Sequence, residues 1–273
     1  MRLSVVILAG GKAGFGTPEL GPQTPKALLP VAGKPLCAYL AQAVAGASFS
    51  GPVVFAGPEE ARAHLPPSFL LEPVRDAFHE NLRAAIERLQ AEDESAADRN
   101  PTLLLGVDIP LLTAEMLRQF VRQAQETQAD LVYPVVERSL CLAHYPEARR
   151  TFVRLREGSF TGGNALYLQP GTLNRVIHLA ERLHALRKSP FRLALFLGPG
   201  ILLCYLTGTL TLSAVERRAR RITGLSCASL PFPHPEIAMD LDKPEDLAVI
   251  EAALMKQHSS SPPPPGSSPA SPQ

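Results

Sequence analysis

Two glycines and a lysine near the amino terminus could together bind a phosphate group. Gly10 and Gly11 directly follow an apolar run at residues 3–8, and Lys26 lies in the segment Pro-Lys-Ala-Leu-Leu-Pro at 25–30. Glycine lets the backbone approach a bound anion with its N–H groups pointing at it, and lysine supplies a mobile positive charge. Each feature alone is typical of an ordinary turn or a solvated lysine. Their combination favours a nucleotide phosphate.

A carboxylate in the middle of the sequence could hold a metal ion. Asp108 follows the apolar run at 102–107 and precedes Pro110. We therefore expect it at the carboxyl end of a central strand, where open α/β sheets place their ligands. Carboxylate oxygens and nucleotide phosphates are the ligands that Mg²⁺ prefers. The alternative is an aspartate that caps a turn before Pro110.

Asp240 and Asp242 form a second group of candidate metal ligands. Asp240 is predicted to lie inside a late strand at residues 237–241, from which it could face the same cleft as Asp242. Asp242 could instead cap the final helix, because Glu245 follows at the spacing of a capping box. The sequence does not separate the two aspartates, and both are predicted as ligands.

A polar turn supported by glycines is the candidate site for a second substrate. After Phe160, its residues are Thr161, Gly162, Gly163 and Asn164. The backbone amides and the Asn164 side chain could hold a phosphate or a sugar, and an ordinary hairpin or bulge turn is an equal alternative. Arg150, Arg154 and Arg156 share one face of a predicted extended segment. They could face an anionic acceptor or form a solvated basic edge.

The elements that must position these residues alternate between strand and helix patterns. This alternation predicts an α/β fold with a mostly parallel central sheet flanked by helices. Continuous apolar runs at 3–8 and 102–107 are typical of strands covered on both faces. We expect one domain over residues 1–256. A disordered tail should follow over residues 257–273, because Ser and Pro dominate that segment.

The composition narrows the class of protein. The 273 residues include 27 Lys and Arg against 26 Asp and Glu, whereas a nucleic-acid binder needs a surplus of cations. The cysteines show no metal-ligand spacing and indicate a reducing compartment, so we expect a cytoplasmic protein. The apolar run at the amino terminus ends at a glycine pair before any cleavage pattern, which favours a buried strand over a signal peptide. No pattern indicates an oligomeric state.

Residues 193–212 contain no charged side chain and could be mistaken for a membrane span. Gly198, Pro199 and Gly200 interrupt a helix there, and threonines alternate with other residues at 207–212. We therefore predict a buried, partly strand-like element and no membrane partner, and a membrane-associated enzyme that uses residues 193–212 is the weaker alternative.

Three separated motifs resemble those of the MobA-like nucleotidyltransferases. This family includes molybdenum cofactor guanylyltransferase and sugar-1-phosphate nucleotidyltransferases. The first motif is Leu-Ala-Gly-Gly at 8–11 with Pro-Lys-Ala-Leu-Leu-Pro-Val-Ala-Gly-Lys-Pro-Leu at 25–36. The others are Gly-Val-Asp-Ile-Pro-Leu-Leu-Thr at 106–113 and Met-Asp-Leu-Asp-Lys-Pro-Glu-Asp-Leu at 239–247. The turn at 160–164 makes the resemblance closest to an uncharacterised branch. The resemblance implies a GT-A-type nucleotidyltransferase architecture.

The resemblance also implies an activity and the residues that carry it. The activity is transfer of a nucleoside monophosphate from an NTP to a phosphorylated small-molecule acceptor, with Mg²⁺ as cofactor and pyrophosphate as product. Lys26 and Asp108 would be catalytic, and Asp108 with a late acidic residue would hold the metal. The implied nucleotide-binding residues are Leu8, Ala9, Gly10, Gly11, Lys12, Lys26 and Asn81. For Asn81, a polar position in a first helical turn is the alternative.

One feature departs from the family pattern. Relatives usually carry an arginine in the loop after the first glycines, whereas residues 12–25 contain Lys12 and no arginine. A lysine offers a point charge in place of a bidentate fork. This departure motivates a second hypothesis, a nucleotide-binding regulatory protein of the same fold that has lost catalysis.

Overall fold

A nine-stranded mixed sheet forms the centre of the molecule. The computed structural model describes residues 2–15, 21, 23–92, 99–186, 196 and 198–260. The strands are β1 (Ser4–Leu8), β2 (Pro30–Val31), β3 (Lys34–Pro35), β4 (Val53–Gly57), β5 (Leu70–Pro73), β6 (Thr102–Gly106), β7 (Leu131–Glu137), β8 (Val153–Leu155), β9 (Gly158–Gly162), β10 (Ala165–Leu168) and β11 (Cys227–Pro231). The sheet order is β5-β4-β1-β6-β10-β7-β9-β8, with β11 paired to β7 and with β2 and β3 forming a separate ribbon.

Helices cover both faces of this sheet. They are α1 (Leu36–Ala47), α2 (Phe78–Glu92), α3 (Ala114–Glu126), α4 (Arg138–His144), α5 (Leu173–Leu186), α6 (Pro199–Leu206), α7 (Leu212–Thr223) and α8 (Pro244–Ser260). The neighbouring strands β5, β4, β1 and β6 run parallel, and β10 is antiparallel to both β6 and β7. The predicted α/β class with a mostly parallel core is confirmed.

The apolar run of β1 is explained by burial on two sides. Val5 and Ile7 pack in the cluster that includes side chains of α1 and α3, whereas Val6 packs in the cluster built with α2 and α5. All three side chains are fully buried. Each contributes about 1.5–3 kcal/mol relative to an exposed side chain. This double cover fixes β1 at the centre of the fold.

The candidate site lies where the chain changes direction across the sheet. From β1, one branch of the sheet continues through β4 and β5, and the other begins with β6 on the opposite side. In open α/β sheets, ligands bind beyond the carboxyl ends of the strands at such a switch point. The glycines that follow β1 and the aspartate that follows β6 therefore lie at one edge of the sheet.

The late strand predicted at residues 237–241 is not formed. A 3-10 turn covers Pro235–Ala238, and irregular backbone follows it. The neighbouring sheet positions are already taken, because β7 pairs with β10, β9 and β11. Single hydrogen bonds hold the segment instead, from Asn164 N to Ile237 O and from Leu241 N to Asp108 O, both 2.9 Å.

The prediction of a buried element at residues 193–212 is wrong for the helix α6, although Gly198 before it and Leu210 after it are buried. Pro199 begins α6, as the fixed φ of proline allows at a first helical position. No residue of α6 is buried. The threonines that suggested a strand form a turn, in which the Thr207 hydroxyl donates to Leu203 O and Thr211 caps α7. Within the described residues, no helix has the length and hydropathy that a bilayer crossing requires.

The last helix extends past the predicted domain boundary at residue 256. Helix α8 continues to Ser260, and the Gln257 side chain donates to Leu111 O over 3.2 Å. The remainder of the predicted tail, residues 261–273, lies outside the described residues.

Candidate active site

A cleft of about 560 Å³ opens at the carboxyl ends of β1 and β6. Many of the predicted site residues line it: Leu8, Gly10, Gly11, Lys12, Lys26, Asn81, Asp108, Gly163 and Asn164. Ala9, Thr161, Gly162, Asp240 and Asp242 are not among its lining residues. The structure thus brings most of the predicted nucleotide-binding residues together at this cleft. Of the predicted acceptor-binding turn, Gly163 and Asn164 line the cleft and the other two residues do not.

The loop after β1 holds a row of backbone amides at this cleft. Lys26 N donates to Gly11 O at 2.8 Å, and Ala13 N donates to Thr24 O at 3.0 Å, so two segments of the loop lie side by side. Among the described residues, no backbone carbonyl accepts from the amides of Gly10, Gly11 or Lys12. These three N–H groups are available to phosphate oxygens.

Gly10 is required by close packing against the start of α2. A Cβ atom at this position would lie 2.8 Å from both Asn81 Nδ2 and Val74 Cγ2. Asn81 is buried, and its amide holds the preceding loop. Its Oδ1 accepts from Arg75 N, and its Nδ2 donates to Arg75 O and Ala77 O. Asn81 therefore positions the loop beside the glycines, which supports the structural alternative for this residue.

The lysine ammonium lies between two carboxylates. Lys26 directly follows Pro25, which forms an antiparallel bridge with Lys12, and it sits in the 3-10 turn Lys26–Leu28. Its Nζ is 2.8 Å from Asp108 Oδ2 and 2.5 Å from Asp242 Oδ1. Burial alone would lower the pKa of Lys26, but the charges and hydrogen bonds of the two carboxylates outweigh it. The pKa of Lys26 is raised, and the group is a cation at neutral pH.

Asp240 has a different partner from Asp242. Its Oδ1 forms an ion pair with Arg150 Nη1, although no hydrogen bond of normal geometry reaches that oxygen. Both side chains of the pair are nearly buried, with 11% and 13% exposed. The hypothesis that Arg150 faces an anionic acceptor is therefore not supported. Asp240 neutralises it instead, because a buried guanidinium needs a charged partner.

Asp242 does not cap the final helix with its side chain. Asp246 caps α8, because its Oδ2 accepts from Asp242 N at 3.1 Å and from Lys243 N at 2.8 Å. The Asp242 side chain is 57% exposed and points to Lys26 instead. Glu245 takes no part in these capping bonds. The spacing Asp242 to Glu245 correctly indicated a helix start but suggested the wrong capping residue.

The three aspartates fit a divalent cation. One carboxylate oxygen each of Asp108, Asp240 and Asp242 lie within 4.8 Å of one another. Oxygen ligands of this kind suit Mg²⁺. Lys26 and Arg150 supply only two positive charges to three carboxylates, so the cluster retains an excess of negative charge. Because Arg150 already balances Asp240, Asp108 and Asp242 are the better candidates to hold the ion.

The turn at 160–164 has fewer backbone amides available to a ligand than its sequence suggests. Gly163 N donates to Pro134 O and Asn164 N donates to Ile237 O, both at 2.9 Å. These amides cannot also bind a phosphate. Thr161 pairs with Val136 in the sheet, and Gly162 lies against the Tyr133 ring, where a Cβ atom would be 2.0 Å from the hydroxyl oxygen. The bulge-turn alternative therefore describes most of this segment.

Asn164 is the exception in this turn. Its side chain Nδ2 lies 3.3 Å from Asp108 Oδ1, so it orients the aspartate that follows β6. Tyr133 also lines the cleft from β7. Sequence reasoning missed Tyr133, and the only available signal was a polar aromatic residue inside an otherwise apolar strand pattern. It also missed the Arg150–Asp240 ion pair, for which no local pattern exists.

The fold and this site define a class of protein, a nucleotidyltransferase-like α/β transferase. The sequence model described as the MobA-like NTP transferase domain matches residues 5–187. The chain belongs to this family.

Solved structures agree with that assignment. A hypothetical transferase from Thermus thermophilus is 38% identical with a TM-score of 0.76, and the match covers 90% of this chain and 100% of that one. The bifunctional IspDF from Campylobacter jejuni is 12% identical with a TM-score of 0.54, covering 91% of this chain and 54% of that one. Rv0371c from Mycobacterium tuberculosis H37Rv is 15% identical with a TM-score of 0.50, covering 92% and 98%. The last two show the fold alone. A search of curated proteins found no match.

Proposed function

We propose that this protein is a Mg²⁺-dependent nucleotidyltransferase that transfers a nucleoside monophosphate from an NTP to a phosphorylated small-molecule acceptor. The acceptor class would be that of a molybdenum cofactor guanylyltransferase or of a sugar-phosphate nucleotidyltransferase. The observation that carries the proposal is the position of Lys26 between Asp108 and Asp242, beside the amides at 10–12, from which no described backbone carbonyl accepts.

In this proposal the chain binds the triphosphate mainly through the loop after β1. The amides of Gly10, Gly11 and Lys12 donate to phosphate oxygens, and glycine leaves room for close approach. The Lys26 ammonium has three N–H donors, two of which face Asp108 and Asp242, so the third is available to a phosphate oxygen. Lys12 is exposed at the cleft, where its Nζ donates to Gln23 Oε1 at 2.7 Å, and it adds a second positive charge.

The reaction needs no side-chain nucleophile. An oxygen of the acceptor phosphate attacks the α-phosphorus, the bond from that phosphorus to the bridging oxygen breaks, and pyrophosphate leaves with the electron pair. Asp108 and Asp242 would hold Mg²⁺, which supplies positive charge that stabilises the phosphates when bound. Asn164 keeps Asp108 oriented, and Lys26 stabilises the developing negative charge. Positioning and electrostatics provide the catalysis.

The test is release of pyrophosphate from each NTP in the presence of Mg²⁺ and a panel of phosphorylated acceptors. The wild-type protein should release pyrophosphate with at least one combination. Asp108→Asn should be inactive while its circular dichroism spectrum matches the wild type. Full activity of Asp108→Asn would contradict the assignment of Asp108.

A second function is favoured by one sequence observation, the absence of arginine from residues 12–25. A nucleotide-binding regulatory protein would retain the glycine amides and Lys26 but would not turn over. Tight NTP binding measured by calorimetry, with no pyrophosphate released for any acceptor, would support the regulatory function over the enzyme.

A further inference from the structure

Positive charge is concentrated in one part of the chain. Residues 182–221 contain eight Lys or Arg and a single acidic residue, Glu216. The whole chain has 27 Lys and Arg against 26 Asp and Glu, so the remaining residues carry a net negative charge. Glu216 is occupied, because its Oε1 accepts from Ser229 N at 2.6 Å. This asymmetry indicates an anionic partner.

The same part of the chain exposes large apolar side chains. Helix α6 has the sequence Pro-Gly-Ile-Leu-Leu-Cys-Tyr-Leu, and none of its residues is buried. Leu203 and Leu206 are 62% and 73% exposed, and nearly half of Leu202 and of Tyr205 is exposed. Single exposed leucines are ordinary in soluble proteins, but four large apolar side chains on a two-turn helix form a patch.

Arginines of α7 lie directly beside this apolar helix. Arg217, Arg218 and Arg221 line a cavity of about 430 Å³ together with Ile201 and Cys204 of α6. Arg217 donates to Ser213 Oγ, and Arg218 donates to Phe196 O. In the part of the chain that the structure describes, no carboxylate lies within 4.0 Å of these three guanidinium groups. Arg217 and Arg221 are exposed and therefore available to an external anion, whereas Arg218 is half-buried.

We propose that α6 and α7 form a docking surface for an anionic phospholipid bilayer. The apolar side chains of α6 would enter the boundary between headgroups and acyl chains. The α7 arginines would bind lipid phosphates. Apolar residues beside a strongly basic face are the combination that binds such interfaces without spanning them. The surface adds a partner to the proposed nucleotidyl transfer and does not depend on it.

A second copy of the chain is a poorer occupant of this surface. In a symmetric dimer the same patch meets itself, which would bring the Arg217, Arg218 and Arg221 groups of two subunits together. Like charges at close range disfavour that contact. A nucleic acid would satisfy the arginines but not the exposed leucines of α6. Only a surface that is both anionic and apolar complements both helices.

The experiment is flotation of the full-length protein with vesicles. One set contains phosphatidylglycerol and phosphatidylcholine, and the other contains phosphatidylcholine alone. The wild-type protein should float with the first set and remain unbound with the second. Removing two arginines in Arg217→Ser/Arg221→Ser should weaken binding about fivefold for each residue. Leu203→Glu should weaken it by more than about tenfold, because an apolar contact is replaced by a charge repelled by the lipid.

The matched control is Met255→Glu on α8, because Met255 is 63% exposed, almost the same as Leu203. This variant should bind like the wild type. Circular dichroism and pyrophosphate release should be unchanged in all variants, which separates lipid docking from folding and from catalysis.

Three results would overturn the docking proposal. The first is wild-type protein that does not float with anionic vesicles. The second is equal flotation of Leu203→Glu and wild type. The third is evidence for another partner in the absence of vesicle binding. Such evidence would be a dimer detected by light scattering, or a complex with RNA, that is lost in Leu203→Glu. If the protein floats as expected but releases no pyrophosphate, the proposed nucleotidyltransferase activity is contradicted and the proposed docking surface is supported.

Discussion

Lys26 Nζ lies 2.5 Å from Asp242 Oδ1, although 216 residues separate the two in the chain. One residue belongs to the loop after the first strand and the other to the turn before the last helix. The same ammonium also contacts Asp108. A single cation therefore joins the aspartate that follows β6 to one of the two aspartates that precede α8.

Replacing Lys26 by Met should abolish most of the proposed activity. Loss of one charged donor to a phosphoryl group lowers kcat by about 10²- to 10³-fold. The measurement is kcat for pyrophosphate release. Lys34→Met, at an exposed lysine in β3, is the control and should retain wild-type kcat. Equal kcat for both variants would exclude Lys26 from the reaction.

Asp240→Asn should mainly reduce stability, whereas Asp242→Asn should mainly reduce activity. Asp240→Asn leaves the nearly buried Arg150 without a charged partner and should reduce the free energy of unfolding by about 3–5 kcal/mol. Asp242 is more than half exposed, so Asp242→Asn should change stability by less than about 1 kcal/mol while activity is lost. Urea unfolding and pyrophosphate release measure the two effects. A stable but inactive Asp240→Asn variant, together with a destabilised but active Asp242→Asn variant, would assign the metal to Asp240.

Stability should decrease in acid through Asp130. Its carboxylate accepts hydrogen bonds from the Ser226 amide at 2.7 Å and the Ser226 hydroxyl at 2.8 Å, and these bonds lower the pKa of Asp130. A lowered pKa means that the stabilisation is fully present above the unfolded-state pKa and is lost as pH falls through the folded-state pKa. Asp130→Asn should cost about 1 kcal/mol at neutral pH after solvent screening.

The measurement for Asp130 is urea unfolding of both proteins between about pH 7 and about pH 2.5. The difference in unfolding free energy should stay constant down to about pH 4 and then shrink. A difference that persists unchanged at the lowest pH would show that the charge of Asp130 is not involved.

The two glycines after β1 should respond differently to Ala. Gly10→Ala would place a Cβ atom 2.8 Å from Asn81 Nδ2 and Val74 Cγ2, and this overpacking should cost about 1–3 kcal/mol. Gly11→Ala meets only Lys26 Cδ, at an ordinary 3.9 Å, and should cost less than about 1 kcal/mol. Thermal or urea unfolding compares the pair. Equal stability would mean that the loop at 74–77 moves freely.

The features that sequence reasoning predicted well are those with a local signal. The apolar run of β1 and the glycine pair that follows it each reflect neighbouring residues only. They were sufficient to predict the α/β class and to bring Lys26 and Asp108 to one edge of the sheet.

The features that it predicted wrongly depend on distant partners. The segment at 237–241 has a strand-like pattern, but β11 occupies the sheet position beside β7. Arg150 shares its face with other arginines in the sequence, but the structure pairs it with Asp240. The amides of Gly163 and Asn164 look free in a turn and are bonded to Pro134 and Ile237. Only tertiary contacts decide such cases.

The split of the Lys26, Asp108 and Asp242 cluster over the length of the chain has a consequence for synthesis. The glycine loop and its lysine leave the ribosome first, and the aspartate that completes the cluster follows 216 positions after Lys26. A nascent chain can build the parallel core first, as domains generally do. It gains the second carboxylate beside Lys26 only after residue 242 has been made, so products truncated before that residue would fold in part and lack the complete cluster.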